Sequence, residues 1–317
     1  MTSGGDVPGL NACIRAVVKA AMYNKLEITG IQKGYDGLIS GSFIVLDNNT
    51  VSDIIHTGGT ILKSSRSEEF KTKEGRLKAY KNIRTENIDA IILIGGDGSF
   101  QGANAFISEY NIPFIGIPKT IDNDISHTDV CIGYDTAINT AMQAIDKIRD
   151  SAQSHERIFI VEVMGRDSGY IAFGSGIAGG AEIILMPEIK EDFTNLERIL
   201  KEGWDKNKSS MIIVVAEGDE SGGVTKLADE VRRYMYPHDV RVSVLGHMQR
   251  GGSPTASDRI LASKLGFEAV EALLRGEVDV MVGMKNNSIS INPLNLITRH
   301  HLEFNQSIVK MIAALTN

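Results

Sequence analysis

The sequence predicts an α/β fold with mainly parallel sheets, divided into two lobes. Three observations carry this reading. Short apolar, β-rich runs recur along the chain, each followed by a glycine-containing loop and then a helical pattern. The runs are continuously apolar rather than alternating, which marks strands buried on both faces. The length, 317 residues, exceeds one small domain and suits two lobes of roughly 150 residues each.

Taken in order, Ile91–Ile94 runs into Gly95-Gly96-Asp97-Gly98-Ser99, and Phe114–Ile117 runs into Pro118-Lys119-Thr120. Ile158–Val163 precedes Met164-Gly165-Arg166, Met211–Ala216 precedes Glu217-Gly218, and Val242–Leu245 precedes Gly246-His247. Helical spacing is read over Asn11–Met22, Asp135–Arg149, Asn195–Lys206 and Ser257–Leu274. In the second of these, Ile138, Met142, Ile145 and Ile148 form the apolar stripe, a core-facing feature. In parallel α/β sheets ligands bind at the carboxyl ends of the strands, where each of these loops falls. A lobe boundary is placed near residue 134. The turn Ser3-Gly4-Gly5-Asp6-Val7-Pro8-Gly9 has the form of a strand-to-helix loop, so a strand of about five residues is expected upstream of it. A start upstream of Met1, or a trimmed chain, would account for its shortness.

Composition excludes several classes. Lys and Arg number 33 against 40 Asp and Glu, a net charge of −7, which disfavours broad nucleic-acid or anionic-membrane binding. No segment approaches the ~18 unbroken apolar residues of a membrane span. The N-terminus has neither the basic nor the apolar stretch of a secretory signal. The two cysteines, Cys13 and Cys131, lie far apart and read as small buried hydrophobes in a reducing cytoplasm. Glycine is enriched at 32 residues of 317, against a usual ~7%, and its clusters mark close backbone approaches.

Several constellations carry chemistry. Gly4-Gly5-Asp6 with Gly9, ahead of a helix, has the form of a phosphate cradle or of a simple tight turn. Gly95–Ser99 after a buried strand offers backbone N–H groups, a hydroxyl, and a carboxylate for Mg²⁺, a pattern shared by several kinase types. In Pro118–Asp124, Asp122 and Asp124 can divide labour, one as base and one near a metal. Thr120 supplies a hydrogen bond there and Lys119 a charge. Arg157, Arg166, Arg241, His247 and Arg250 form a basic set beside Gly246, Gly251 and Gly252, at the mouths of the later strands, that reads as a phosphosugar clamp. Glu217 is placed to accept hydrogen bonds from sugar hydroxyls. His127 and His155 read as turn residues. No zinc spacing, P-loop or nucleophile elbow occurs.

The motifs T-S-G-G-D-x-P-G-x-N-A, G-G-D-G-S, T-I-D-N-D, V-M-G-R and L-G-H-x-Q-R-G-G-S-P occur together and in order. With them the chain resembles the bacterial-type 6-phosphofructokinases over almost its whole length. The resemblance implies two stacked Rossmann-like three-layer α/β/α lobes with the active site in the cleft between them. Residues 1–133 with 246–296 would form the nucleotide-binding lobe, and 134–245 with 297–317 the sugar-phosphate lobe. It implies Mg²⁺-dependent phosphoryl transfer from ATP to fructose 6-phosphate by a cytoplasmic homotetramer. Asp122 would be the general base, with Thr120 and Arg66 stabilising the transferring group. Asp97 would hold Mg²⁺, with Asp124 close by. Gly5, Tyr35, Arg66, Ser67, Gly96, Gly98, Ser99 and Gly102 match donor-nucleotide positions. Met164, Gly165, Arg166, Glu217, His247 and Arg250 match the sugar-phosphate site. Arg157 and Arg241 match positions that reach the 6-phosphate from a neighbouring subunit. Arg15, Lys19, Arg149, Glu182, Lys206 and Lys208 match the family's effector site. Asn48 and Lys19 replace arginines there, which predicts weak or altered allostery.

Two positions bear on the donor. Gly98 matches ATP-using members, where pyrophosphate users carry Asp. Lys119 matches pyrophosphate users, or a subgroup of ATP users with the same mixed pair. Sterics at the α-phosphate exclude, whereas a lysine attracts any phosphate, so Gly98 decides for ATP. The alternatives are a pyrophosphate-dependent phosphotransferase, an NAD- or lipid-kinase relative that shares only G-G-D-G-S, and a non-catalytic sugar-phosphate-binding regulatory subunit.

Overall fold

A computed structural model describes residues 1–189, 193–205, 210–218, 223–300 and 306–316. In chain order the elements are α1 (Leu10–Tyr23), β1 (Thr29–Ile31), α2 (Gly34–Ser40), β2 (Phe43–Val45), α3 (Lys73–Thr85), β3 (Ile91–Gly95), α4 (Asp97–Tyr110) and β4 (Phe114–Pro118). There follow α5 (Tyr134–His155), β5 (Ile158–Val163), α6 (Tyr170–Ala178), β6 (Ile183–Leu185), α7 (Phe193–Asp205), β7 (Met211–Ala216), α8 (Val224–Tyr234) and β8 (Val240–Val244). The chain ends with α9 (Ala256–Leu274), β9 (Val280–Lys285), β10 (Ser288–Pro293) and α10 (Gln306–Thr316). Two compact units result: Met1–Thr136 with Arg250–His300, and Ala137–Gln249 with His301–Asn317.

The first unit holds a sheet of order β10-β9-β4-β3. Strands β3, β4 and β9 are parallel, and β10 runs antiparallel to β9. The antiparallel edge follows from local chemistry. Asn286 and Asn287 both have positive φ, 49° and 60°, the geometry of a two-residue hairpin turn. Ahead of the Gly4 turn the chain forms no strand of the expected length, only an isolated parallel bridge of Thr2 with Ile94. Ser3 N donates to Ile94 O at 3.0 Å and Ile94 N to Met1 O at 2.9 Å. The β3 and β4 side chains Ile91, Leu93 and Phe114 bury against Phe100 and Phe106 of α4. Tyr35 stacks on Phe70 in the same core, with ring centroids 3.8 Å apart. Helices α1 and α9 pack closely because Gly266 is bare: a Cβ there would lie 2.8 Å from the Cys13 carbonyl oxygen.

The second unit holds a fully parallel sheet of order β6-β7-β5-β8. Strand β7 is buried along its whole length, as its apolar run predicts. The Val242–Leu245 run departs from the prediction. Strand β8 is an edge strand, so Val244 is 58% exposed rather than enclosed on both sides. Both cysteines are buried free thiols. Burial pushes the Cys13 thiol up to about 12. Among the described residues no helix is long and apolar enough to cross a membrane.

Candidate active site

Parallel strands deliver their carboxyl ends to one edge of the sheet, and at β3 that edge opens on a pair of glycines, Gly95 and Gly96. Strand β3 ends at Gly95 and α4 begins at Asp97. The α4 N-cap is Gly96, and that of α1 is Gly9 with φ 102°. Neither N-terminus has a side-chain cap, so first-turn N–H groups and the positive dipole end remain for an anion. A Cβ at Gly98 would meet nothing within 4 Å, so the space beside it is open. Asp97 stands in the first turn of α4, its carboxylate accepting from Gln101 Nε2 at 3.0 and 2.9 Å. Ser99 Oγ donates to Ser3 Oγ at 3.0 Å, and the Tyr35 hydroxyl donates to the Ser99 carbonyl at 2.6 Å. The Tyr35 ring lies over Gly102, where a Cβ would come within 3.1 Å of it.

The loop after β4 is closed at its base. Thr120 N donates to Ile132 O and Ile132 N to Pro118 O, both at 3.2 Å. Asn123 (φ 51°) holds the loop from inside: its side chain accepts from Cys131 N at 2.8 Å and donates to Asp129 O at 3.1 Å. Asp122 and Asp124 flank this anchor. Asp122 is buried, and its N–H donates to Thr120 Oγ1 at 3.1 Å. Behind the loop, Asp258 accepts from Gly133 N and Thr136 N, each at 2.8 Å. Burial raises the pKa of this carboxyl against the lowering effect of those bonds.

Cations gather on the Gly4-Gly5 turn. Lys119 is 4% exposed and its ammonium donates to Gly5 O at 2.5 Å. Burial, followed by the nearby Arg250, holds the Lys119 pKa down at about 7; Asp6 and Asp122 pull the other way. The Arg250 guanidinium fills the space that a Cβ at Gly5 would need, with Nη2 only 1.9 Å from that position. A side chain at Gly5 would displace the guanidinium from this place. Arg66 follows Ser64 and Ser65, which bond Gly4 from its other side: Ser64 Oγ donates to Gly4 O, and Gly4 N donates to Ser65 O at 3.3 Å. Ser67 Oγ accepts from Phe70 N at 3.2 Å. On the far side of the loop, Arg299 Nε lies 3.7 Å from Asp97 Oδ2 and 3.6 Å from Asp124 Oδ2.

The second unit builds a different turn after β5. Gly165 has φ 147°, and a Cβ there would lie 2.3 Å from the Ser168 carbonyl oxygen. Arg166 has φ 52°, and its N–H donates to Glu217 Oε1 at 2.8 Å. Gly218 is forced: a Cβ would lie 1.7 Å from Arg166 O. Gln249 is fully buried, accepts from Met164 N at 3.3 Å and donates to Gly246 O at 3.0 Å. It thereby ties the turn that carries His247 to the Met164–Arg166 turn. Glu162 lies behind Glu217, and burial, then the Glu217 charge, raises its pKa.

The sequence-predicted residues therefore fall into two groups. Gly5, Arg66, Asp97, Lys119, Thr120, Asp122, Asp124 and Arg250 come together at the carboxyl ends of β3 and β4, with Gly96, the first turns of α4 that carry Gly98, Ser99 and Gly102, and Tyr35 alongside. Arg250, grouped by its motif with the sugar-phosphate residues, lies in the first unit against Gly5. Met164, Gly165, Arg166, Glu217 and His247 share the second unit's turns. Arg157 and Arg241 are not with them, contrary to the expectation of one basic set at the strand mouths. They stand at the amino-terminal ends of β5 and β8, both paired to Asp239 Oδ2 at 2.9 Å. Of the effector positions, Arg15 and Lys19 lie on α1, with Lys19 bonded to Asn48. Arg149 and Glu182 pair with each other at 3.4 Å. Lys206 and Lys208 lie outside the described residues. Sequence reasoning missed Asp258 and Arg299, and gave Gln249, inside the L-G-H-x-Q-R motif, no role of its own. The T-x-x-D spacing of Thr255 and Asp258, a helix-start signal, could have drawn attention to Asp258; Arg299 belongs to no motif.

A family model described as Phosphofructokinase matches residues 1–273. The chain belongs to the phosphofructokinase family. It is 48% identical over 316 residues to "ATP-dependent 6-phosphofructokinase 2" of Bacteroides thetaiotaomicron, covering 100% of this chain and 97% of the relative. It is 52% identical over 299 residues to "ATP-dependent 6-phosphofructokinase" of Cytophaga hutchinsonii, covering 94% and 91%. Among solved structures it is similar to phosphofructokinase from Saccharomyces cerevisiae, with TM-score 0.89 and 33% identity, over 99% of this chain but 44% of that one. A pyrophosphate-dependent phosphofructokinase from Marinobacter aquaeolei shares the fold, with TM-score 0.87, at 22% identity over 99% of this chain and 90% of that one. The two-lobed α/β architecture read from the sequence is the family's.

Proposed function

We propose that the protein is an ATP-dependent 6-phosphofructokinase, transferring the γ-phosphoryl group of ATP to the 1-hydroxyl of fructose 6-phosphate. The observation that carries this reading is full-length identity near 50% to relatives that bear that name. The open space beside Gly98 supports the donor assignment, since a nucleotide's α-phosphate needs room there. In the cell we place the enzyme in the cytoplasm, as a homotetramer.

The residues suit Mg²⁺. Among the described residues no cluster of three or more His, Cys, Asp or Glu side chains could enclose a metal. Magnesium prefers one or two carboxylates together with substrate phosphates. Asp97 and Asp124 both face the Arg299 cation, so their oxygens already share one positive charge. When bound, Mg²⁺ neutralises charge on the transferring phosphates. Asp122 accepts the proton of the sugar 1-hydroxyl. Thr120 and Arg66 stabilise the transferring group, and the uncapped N-terminus of α4 donates N–H bonds to the donor phosphates. In the second unit Arg166 and His247 bind the sugar phosphate, and Glu217 orients it. Arg157 and Arg241, paired to Asp239, are assigned to the 6-phosphate of a neighbouring subunit's substrate. Arg15, Lys19, Arg149 and Glu182 are assigned to an effector site, and the replacement of arginines by Lys19 and Asn48 weakens its response.

The test is fructose 1,6-bisphosphate formation with Mg²⁺ and either ATP or pyrophosphate. Turnover with ATP is expected. Turnover with pyrophosphate alone would make Lys119 the dominant donor determinant. Gly98→Asp sharpens the test, because its side chain enters open space and leaves the fold intact. Like-charge contact with the nucleotide should then lower kcat/KM for ATP by about 10²-fold.

A further inference from the structure

No motif accounts for Arg299, yet backbone pairing places it deliberately. Arg299 bridges Ile125 in antiparallel fashion, Ser126 N donates to Thr298 O at 2.9 Å, and His300 N donates to Asp124 O at 2.8 Å. Residues 298–300 therefore run beside the reacting loop, and the guanidinium Nε falls within 3.7 Å of two different carboxylates. Those carboxylates are 14% exposed, while Arg299 is 41% exposed and reaches them from the solvent side.

The contrast with Arg76 is informative. Arg76 grips Glu109 with two parallel bonds of 2.8 and 2.7 Å and adds bonds to two backbone carbonyls. That fork is a committed structural pair. Arg299 approaches Asp97 and Asp124 through one nitrogen at ion-pair distance, without a hydrogen bond to either. Such contacts are weak and readily exchanged. Two carboxylates held close with no cation would repel each other.

We infer that Arg299 is the resident counter-ion of Asp97 and Asp124: it holds the place of the divalent cation and is displaced as that cation binds. The inference rests on the reading that these two carboxylates face the metal. A guanidinium and a divalent ion cannot both lie against the same oxygens without like-charge repulsion. Arg299 therefore lowers the affinity of the site for metal and keeps the metal-free loop ordered. It is a positioning residue and needs no contact with substrate.

The experiment is calorimetric titration of the full-length protein with adenylyl imidodiphosphate, once with excess Mg²⁺ and once with EDTA. The quantity read is the ratio of the metal-free Kd to the Mg²⁺ Kd. Arg299→Gln, and Arg299→Ala as a second neutral variant, should raise this ratio about three- to tenfold, the size of one or two exposed ion pairs. Arg299→Lys keeps the charge and should stay near the parent ratio. An unchanged or lowered ratio in both neutral variants overturns the inference. Asp97→Asn tests the underlying reading separately: it should collapse the ratio toward one. If it leaves the ratio intact, Asp97 does not hold the metal, whatever Arg299 does.

Discussion

The two units hold their functional turns by opposite means. In the first, charges converge on the Gly4-Gly5 turn and the loop after β4: Lys119 is buried, Arg250 is pressed against Gly5, and Asp97 and Asp124 share Arg299. In the second, the turn is satisfied internally: Glu217 accepts from Arg166 N, Gln249 accepts from Met164 N, and Gly165 and Gly218 admit close carbonyl contacts. The first is arranged for charge that arrives with a ligand. The second is closed by its own hydrogen bonds. Damage to the first should appear chiefly in kcat, and damage to the second chiefly in the KM for fructose 6-phosphate.

The largest effect expected is that of Asp122→Asn, which removes the proposed base and keeps the volume. Turnover should fall by about 10²–10⁴-fold, with fructose 6-phosphate binding by calorimetry near that of the parent. Lost binding with retained turnover would invert the contrast between the units.

Gly218→Ala comes next and probes the other side. Its methyl would stand 1.7 Å from the Arg166 carbonyl oxygen, so the turn must shift away from Glu217. A displacement near 1 Å can cost about 10²-fold. That loss is expected in the KM for fructose 6-phosphate, with the KM for ATP unchanged. Steady-state kinetics with each substrate varied in turn would separate the two.

The same contrast explains what was legible in the sequence. Strands β5 and β7 coincide with their apolar runs because burial on both faces writes itself as an unbroken apolar string. The β9–β10 hairpin was missed because its signal, Asn286-Asn287, is turn chemistry rather than periodicity. The glycine turns were legible because close approaches favour a bare residue there: backbone carbonyls at Gly165 and Gly218, and the Arg250 guanidinium at Gly5. Arg299 was not legible. Its place depends on a bridge to Ile125, formed between segments far apart in sequence, and no local pattern encodes such a meeting. Asp239 was missed for a related reason: it is the common partner of Arg157 and Arg241, which approach it from different strands.

The last expected effect is one of pH, small per pH unit and spread over several, and it tests the electrostatic half of the comparison directly. The Lys119 ammonium has its pKa held down at about 7, first by burial and then by Arg250, against about 10.4 for a free lysine in the unfolded chain. Between these values the unfolded chain binds a proton that the folded protein does not, so folding stability rises with pH across that window. Below about pH 7 both states are protonated and the cost of burying the charge is fully present; above the unfolded value it vanishes. The slope contributed by this one group is at most about 1.4 kcal/mol per pH unit. Lys119→Met should remove it, flattening urea-unfolding free energies measured from pH 7 to 10. The donor should show the reverse trend, because phosphate favours the charged ammonium: its KM should climb as pH rises through the window in the parent and stay level in the variant. A slope that persists in Lys119→Met would mean that the ammonium keeps its charge when folded. The first unit would then be as internally satisfied as the second.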